Sequence, residues 1–286
     1  MFDLKKILVP VDFSERSAAV APYAKAFAEQ FQSQLLLLHV EHNPGFLGSI
    51  AAHDHRGGGV LEISQAEAQL KTLSSTEFYG FSASHHVMEG DPAAKIIECA
   101  RATQADLIMM PTRGCGPYRR LVLGSVTAKV LHDSDWPVWT SAHIENAFPT
   151  DPFCRKIACA IDLGPHTKNV VFWASGIASK TGARLLVLHA VPPSDPFIQD
   201  ASDPEAGLPE MQNAREAVER LLRGMNVKAE IVVDSGSVSE VVYRNVAEFA
   251  ADLLVMGRHA ATGIAGRLHP HAYSIIRESP CPVVSV

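Results

Sequence analysis

The feature that most constrains the fold of this 286-residue chain is an internal repeat. Four segments of the first half return in the second half in the same order. The pairs are Lys6–Asp12 with Lys156–Asp162, Leu35–Val40 with Leu185–Ala190, Ala105–Met110 with Ala251–Met256, and Trp136–Val138 with Cys281–Val283. Because both order and separation are kept, the sequence predicts two copies of one domain of about 140 residues. The predicted domains are residues 1–143 and 154–286, joined by a short polar linker.

Each copy alternates strand patterns with helix patterns. In the first copy, apolar runs of strand length at 5–12, 35–40, 83–88, 106–110 and 136–140 are separated by helical periodicity at 14–32, 60–78, 92–103 and 126–133. Near-continuous apolar strands are typical of parallel sheets that are covered on both faces. The alternation therefore predicts a doubly wound α/β fold with right-handed crossovers in each copy.

Composition excludes several classes of function. The formal net charge is −6 and the pI is near 6.1, so the chain carries no overall positive field for nucleic acid or an anionic membrane. No apolar run approaches the roughly 20 residues of a membrane span, and the first residues lack a signal-peptide pattern. Five cysteines without CxxC spacing favour free thiols. We therefore expect a cytoplasmic protein with neither nucleic-acid nor membrane partners.

A glycine-rich segment follows the fourth strand pattern of the first copy. It contains Arg113-Gly114 and, after nine further residues, Gly124-Ser125 at the start of an amphipathic segment. Backbone N–H groups at a helix start lack intrahelical partners and attract anions, and glycine allows a ligand to approach the backbone closely. The segment therefore predicts an anion site, in which Arg113 can pair with phosphate oxygens through its guanidinium.

The second copy differs at the corresponding place. There Gly124-Ser125 is replaced by His269-Pro270 or by Pro270-His271, depending on a one-residue gap. Proline has no N–H to offer a phosphate. We therefore expect the second copy to be a poorer phosphate site than the first.

Several of these segments together resemble the universal stress protein family, in a tandem form. They are the Ile7-Leu-Val-Pro-Val-Asp-Phe-Ser14 opening, the Leu-Leu-His-Val end of the second strand, and the spacing from Gly114 to Gly124-Ser125. The resemblance covers essentially the whole chain. It implies two tandem five-stranded parallel sheets with strand order 3-2-1-4-5, in the nucleotide-binding adenine alpha-hydrolase-like class. It also implies pairing of the two domains through their fifth strands and permits a homodimer.

The same resemblance implies an adenine nucleotide, ATP with or without Mg²⁺, bound in the first domain. It assigns the adenosine to Val11 and Asp12, with Asp12 accepting from a ribose hydroxyl, and it places Val40 beside the adenine. It assigns the phosphates to Gly114 and to the backbone of Gly124, Ser125, Val126 and Thr127. The family pattern has a glycine where this chain has Pro111, which removes one N–H donor.

No catalytic residues are predicted. The sequence contains neither a nucleophile elbow nor a phosphate-loop lysine, and its histidines form no complete metal-binding pattern, although His53 and His55 lie at ligand-like spacing. We therefore expect a stress-response or regulatory protein that binds ATP without a catalytic apparatus. Two alternatives stay open: an interaction module that binds no nucleotide, and a slow ATPase or nucleotidyl-transfer enzyme.

Overall fold

The computed structural model describes residues 2–41, 63–112, 123–142, 149, 153–192, 208–258 and 270–286. Packing divides the chain into two compact units, Leu4–Val130 and Leu131–Val286, the second of which also includes Met1–Asp3. The predicted bounds 1–143 and 154–286 describe the sequence repeat, and as domain limits they stay a prediction.

The first unit contains a parallel sheet in the order β3-β2-β1-β4. The first strand of the repeat therefore lies inside the sheet, as in a doubly wound fold. The strands are β1 (Lys6–Pro10), β2 (Gln34–Glu41), β3 (Ala83–Glu89) and β4 (Leu107–Met109). The helices are α1 (Glu15–Ala18), α2 (Ala21–Phe31), α3 (Ile63–Thr76), α4 (Pro92–Thr103) and α5 (Ser125–Asp133), whose last residues belong to the second unit.

The second unit has the strand order β5-β10-β9-β6-β7-β8. All its pairs are parallel except β5 with β10, which is antiparallel. Counted within the second repeat, the order is the predicted 3-2-1-4-5, so the α/β class with a mostly parallel sheet is confirmed. The strands are β5 (Val138–Thr140), β6 (Lys156–Ile161), β7 (Arg184–Val191), β8 (Glu230–Ser235), β9 (Leu253–Met256) and β10 (Val283–Ser285), and the helices are α6 (Thr167–Thr181), α7 (Leu208–Gly224), α8 (Val238–Phe249) and α9 (Pro270–Glu278).

The central strands form the core of each unit. In β2 the four leucines Leu35–Leu38 are buried, and in β9 the whole of Leu253–Met256 is buried. Burial on both faces explains why these strands are apolar without alternation. Within the described ranges, no helix combines the length and the apolar character needed to cross a bilayer.

One predicted helix is divided in two. Residues 14–32 are expected as a single helix, but the chain forms α1 and α2, with Pro22 at the second position of α2. Proline lacks an N–H, and its ring clashes with the carbonyl four residues earlier, here that of Ala18. Ser14 caps α1, because its hydroxyl oxygen accepts from the N–H of Ser17 at 3.2 Å.

An aspartate joins the start of the first strand to the turn before the fourth strand in each repeat. The Asp106 carboxylate accepts from the backbone N–H groups of Lys5 and Lys6 at 2.7 and 2.9 Å. In the second repeat, Asp252 accepts from the N–H groups of Arg155 and Lys156, both at 2.8 Å. These bonds explain why an aspartate recurs at this place in both copies.

We predict that Asp106→Ala and Asp252→Ala each lower the free energy of unfolding of their own unit by about 1–3 kcal/mol, because two backbone donors lose a charged acceptor. Guanidinium denaturation followed by circular dichroism measures the effect. The Asn variants serve as controls, since an amide oxygen still accepts, and they should lose less. Equal stability of the Ala variants and the native chain would show that these bonds contribute nothing.

Candidate functional site

The predicted site lies at the carboxyl ends of β1, β2 and β4. These three strands are adjacent and parallel, so their carboxyl ends share one edge of the sheet. The strand order turns back at β1, which pairs with β2 on one side and with β4 on the other, and open α/β sheets bind ligands at such a switch point. The residues that follow the three strands are therefore the candidates for ligand contact.

The end of β1 is held by two hydrogen bonds to β2. The N–H of Val11 donates to the carbonyl of Leu38 at 2.8 Å, and the carbonyl of Val11 lies 2.9 Å from Nδ1 of His39. A carbonyl can only accept, so Nδ1 of His39 carries the proton. Its other nitrogen, Nε2, lies 3.3 Å from a carboxylate oxygen of Glu41. The imidazole is thus fixed at both ends.

The turn after β1 has an unusual backbone conformation. Phe13 has φ 58°, in the left-handed region, and its ring lies 4.4 Å from that of His39, centroid to centroid. Large side chains rarely adopt this conformation, and residues that do so cluster at functional sites. Leu163 has φ 59° at the same place in the second repeat. The left-handed turn after the first strand therefore occurs in both copies.

Asp12 precedes that turn and is exposed. Its Oδ1 atom accepts from the N–H of Ser14 at 3.0 Å and from the hydroxyl of Ser14. Ser14 therefore orients the carboxylate, and Oδ2 is the oxygen that the described residues leave for a ligand. The cap of α1 is Ser14, so Asp12 supports the cap from the preceding turn.

The start of α5 is fastened to the end of β4. The N–H of Gly124 donates to the carbonyl of Thr112 at 2.8 Å, and the buried Thr127 hydroxyl donates to the carbonyl of Pro111 at 3.0 Å. The first N–H groups of α5 have no partner within the helix, and the helix dipole makes this end attractive to anions. Pro111, which costs the loop one donor, supplies an acceptor that positions the helix.

Most predicted contact residues lie at this edge of the sheet. Val11 and Asp12 follow β1, Val40 is half-buried near the end of β2, and Gly124–Thr127 form the start of α5 beside the end of β4. Arg113 and Gly114 lie outside the described residues. The roles of all these residues in ligand binding stay predictions.

His39 is the positioning residue that sequence reasoning missed. The signal was present, because the Leu-His pair at the end of the second strand recurs as Leu188-His189. The structure gives the reason for the repeat: Nδ1 of His189 lies 2.9 Å from the carbonyl of Ile161, as His39 does from that of Val11. Each histidine orients a carbonyl at the end of the first strand of its copy, or one residue beyond it.

The helix starts of the two copies can now be matched. The helix spans 125–133 in the first copy and 270–278 in the second, and the last strand follows at 138–140 and 283–285. Ser125 therefore corresponds to Pro270, so His269-Pro270 replaces Gly124-Ser125. The second copy lacks the N–H at the first position of the helix.

Comparison with known proteins identifies the family of this chain. The profile of the Universal stress protein family matches residues 3–141 and again residues 154–286. The chain belongs to the universal stress protein family. It is a tandem member, since the two matches together span most of its length.

Individual universal stress proteins align with one half or with the whole chain. Universal stress protein MJ0531 of Methanocaldococcus jannaschii is 32% identical over 135 residues, which are 47% of this chain and 79% of that protein. A universal stress protein of Mycolicibacterium smegmatis is 23% identical over 298 residues, covering 98% of this chain and 96% of that one. The crystal structure of a universal stress protein from Archaeoglobus fulgidus has a TM-score of 0.72 and 23% identity, with coverage of 99% and 98%. This last similarity shows the fold.

Within the described parts of the chain, no group of three or more His, Cys, Asp or Glu side chains is arranged to hold a metal ion. His53 and His55, whose spacing resembles that of metal ligands, lie outside the described residues. The four described cysteines, Cys99, Cys154, Cys159 and Cys281, are free and buried. Burial raises the pKa of the Cys281 thiol to about 12, so this thiol stays protonated at neutral pH.

We predict that His39→Leu lowers the free energy of unfolding of the first unit by about 1–3 kcal/mol, because the buried Val11 carbonyl loses its side-chain donor. His189→Leu should act likewise on the second unit. Differential scanning calorimetry measures both. His85 is exposed on β3, so His85→Leu is the matched control and should leave stability unchanged. If His39→Leu behaves like this control, the histidine does not hold the end of β1.

Proposed function

We propose that this universal stress protein binds an adenine nucleotide, ATP with or without Mg²⁺, in its first domain and acts in a stress response as a binding protein. The observation that carries the proposal is the attachment of the start of α5 to the end of β4 by Gly124 and Thr127. It brings the positive end of a helix dipole to the edge of the sheet where Asp12 follows β1.

The two ends of the nucleotide have different requirements, and the site offers groups for both. The triphosphate is anionic and suits the first N–H groups of α5. The ribose hydroxyls are neutral donors and suit Oδ2 of Asp12, which Ser14 orients through Oδ1. The adenine is flat and apolar on its faces and suits the half-buried Val40 and the end of β1 at Val11. Mg²⁺ would neutralise phosphate charge and would use phosphate oxygens as ligands.

The groups that the described residues offer support binding without turnover. The acidic side chains that the described residues place at this edge include Asp12 and Glu41, and both are engaged: Oδ1 of Asp12 accepts from Ser14, and the Glu41 carboxylate lies 3.3 Å from Nε2 of His39. Phosphoryl transfer needs metal ligands and a cation near the transferred group. We place this binding function in the cytoplasm, with the two domains paired in one chain and a homodimer as a further level of assembly.

A second candidate function is an interaction module without nucleotide. One observation favours it: the N–H of Gly124 is already bonded to the carbonyl of Thr112, so this donor would have to leave its partner to bind a phosphate. Two backbone donors of the glycine-rich segment are therefore not available to a phosphate: Pro111 has no N–H, and the N–H of Gly124 already has a partner. The interaction module predicts that ATP does not bind at all.

We predict that isothermal titration of the full chain with ATP gives one site, and that Gly124→Asp abolishes it. The added carboxylate would stand at the start of α5 and repel the phosphates. Asp12→Ala should weaken binding about tenfold or more, because a hydrogen bond to a charged group is lost. If Gly124→Asp binds ATP as tightly as the native chain, the site is elsewhere.

Asp162→Ala provides the matched control. Asp162 occupies the position of Asp12 in the second repeat, where its Oδ1 accepts from the N–H of Gly164 at 2.8 Å and from the Thr167 hydroxyl at 2.9 Å. We expect unchanged ATP affinity in this variant. An equal loss in Asp12→Ala and Asp162→Ala would contradict a site confined to the first domain.

A further inference from the structure

The second unit contains a cavity at the carboxyl ends of β6, β7 and β9. Its volume is about 390 Å³, within the range of small-molecule sites. The first turns of α8 and α9 close part of its wall. Most of the lining is apolar, and its larger apolar side chains include Val170, Leu188, Val238, Val242 and Ile275. A ligand here would bury an apolar body.

The described ionisable side chains that line the cavity include more basic than acidic groups. Among the described lining residues, three are histidines, His166, His189 and His271, a fourth is Arg258, and Asp162 is the one acid. The Asp162 carboxylate already accepts two hydrogen bonds through Oδ1. Nδ1 of His189 already donates to the carbonyl of Ile161, so the positive charge of Arg258 is the main feature of the wall that favours an anionic group on the ligand.

Arg258 adds a buried positive charge to this wall. It is 1% exposed, and its guanidinium donates to the carbonyls of Leu131 at 3.2 Å and Trp136 at 2.6 Å. Its Nε atom has no hydrogen-bond partner among the described residues. Burial lowers the pKa of Arg258 to about 10, so the group is still a cation at neutral pH. Both described hydrogen-bond acceptors are neutral carbonyls, and the negative charge of Asp135 offsets only part of the effect of burial on the pKa. A buried cation gains further from an opposite charge on a ligand beside it.

The two copies differ at this position. Arg258 stands two residues after the end of β9, where the first copy has Thr112 after β4. The second copy has thus gained a buried cation beside its cavity and lost, at Pro270, an N–H at the start of the following helix. These changes oppose a triphosphate bound by a helix start and favour a smaller anion.

We propose that this cavity binds a small organic anion with an apolar body, a carboxylate or sulfonate on an aliphatic or aromatic frame, and that it does not bind a nucleoside triphosphate. The apolar side chains contact the body of the ligand. The basic side chains face its anionic group. This site is independent of the ATP site proposed in the first domain.

Isothermal titration of the full chain with three probes tests the charge requirement. The probes are 1-naphthoate, octanoate and the uncharged 1-naphthalenemethanol. We expect at least one of the two anions to bind, and the alcohol to bind about tenfold more weakly or not at all, because it lacks the charge. The better anion shows whether the frame is aromatic or aliphatic. If naphthoate and the alcohol both bind with equal affinity, or if neither anion binds, the proposal is overturned.

Two variants locate the site. Val238→Trp fills the cavity from a half-buried position and should remove anion binding, and His271→Gln removes a basic group at an exposed position and should weaken it. His85→Gln, on β3 and outside the cavity lining, is the matched control for His271→Gln. Circular dichroism confirms that each variant is folded. If His271→Gln and a folded Val238→Trp both retain native affinity for the anion, it binds elsewhere and the assignment is wrong.

Gly124→Asp separates this proposal from the one on ATP. We expect this variant to bind the anion with native affinity, whether or not the native chain binds ATP. Excess ATP should leave that affinity unchanged in the same variant. If ATP displaces the anion in Gly124→Asp, the cavity is a nucleotide site and this inference is overturned. That result would not bear on ATP binding by the first domain.

Discussion

The candidate sites depend on one hydrogen bond that the chain makes twice. A histidine from the second strand of each copy donates from Nδ1 to a carbonyl at the end of the first strand: His39 to Val11, one residue beyond β1, and His189 to Ile161, the last residue of β6. This bond fixes the direction in which the backbone leaves the sheet, just before the turn that carries Asp12 or Asp162. Because a parallel strand ends without a hairpin partner, its last carbonyl needs such a donor when it is buried.

From this shared frame the two copies have diverged in their chemistry. In the first copy, the end of β4 supplies backbone carbonyls that hold the start of α5 in place, and the helix start remains a candidate phosphate site. In the second copy, the corresponding turn carries Arg258, which is buried beside an apolar cavity, and the next helix starts with a proline. The two copies thus share a backbone arrangement at the end of the first strand but differ in the charged groups near it.

Much of the fold could be predicted from sequence, because its cause is local. Runs such as Leu35–Leu38 are buried on both faces, and alternation with helical periodicity leaves few topologies. The break before α2 also has a local cause, Pro22. It was not predicted because the helical spacing of apolar residues continues across residues 14–32. The sequence alone could not decide that Ser125 corresponds to Pro270, because the two preceding loops differ in sequence. The observed starts of the two helices decide it.

Contacts between distant residues could not be predicted. The Thr127 hydroxyl reaches the Pro111 carbonyl only because of the angle at which α5 begins, and Arg258 finds acceptors 122 and 127 residues away in sequence. The sequence shows Pro111 as a lost donor, whereas its carbonyl positions the helix.

We propose one adenine-nucleotide site per chain, in the first domain. Native mass spectrometry of the intact chain with ATP counts the bound nucleotides directly. We expect one ATP per chain, absent in Gly124→Asp and retained in Asp162→Ala. A count of zero in the native chain would favour the interaction module, and a count of two would contradict the difference that we infer between the two domains.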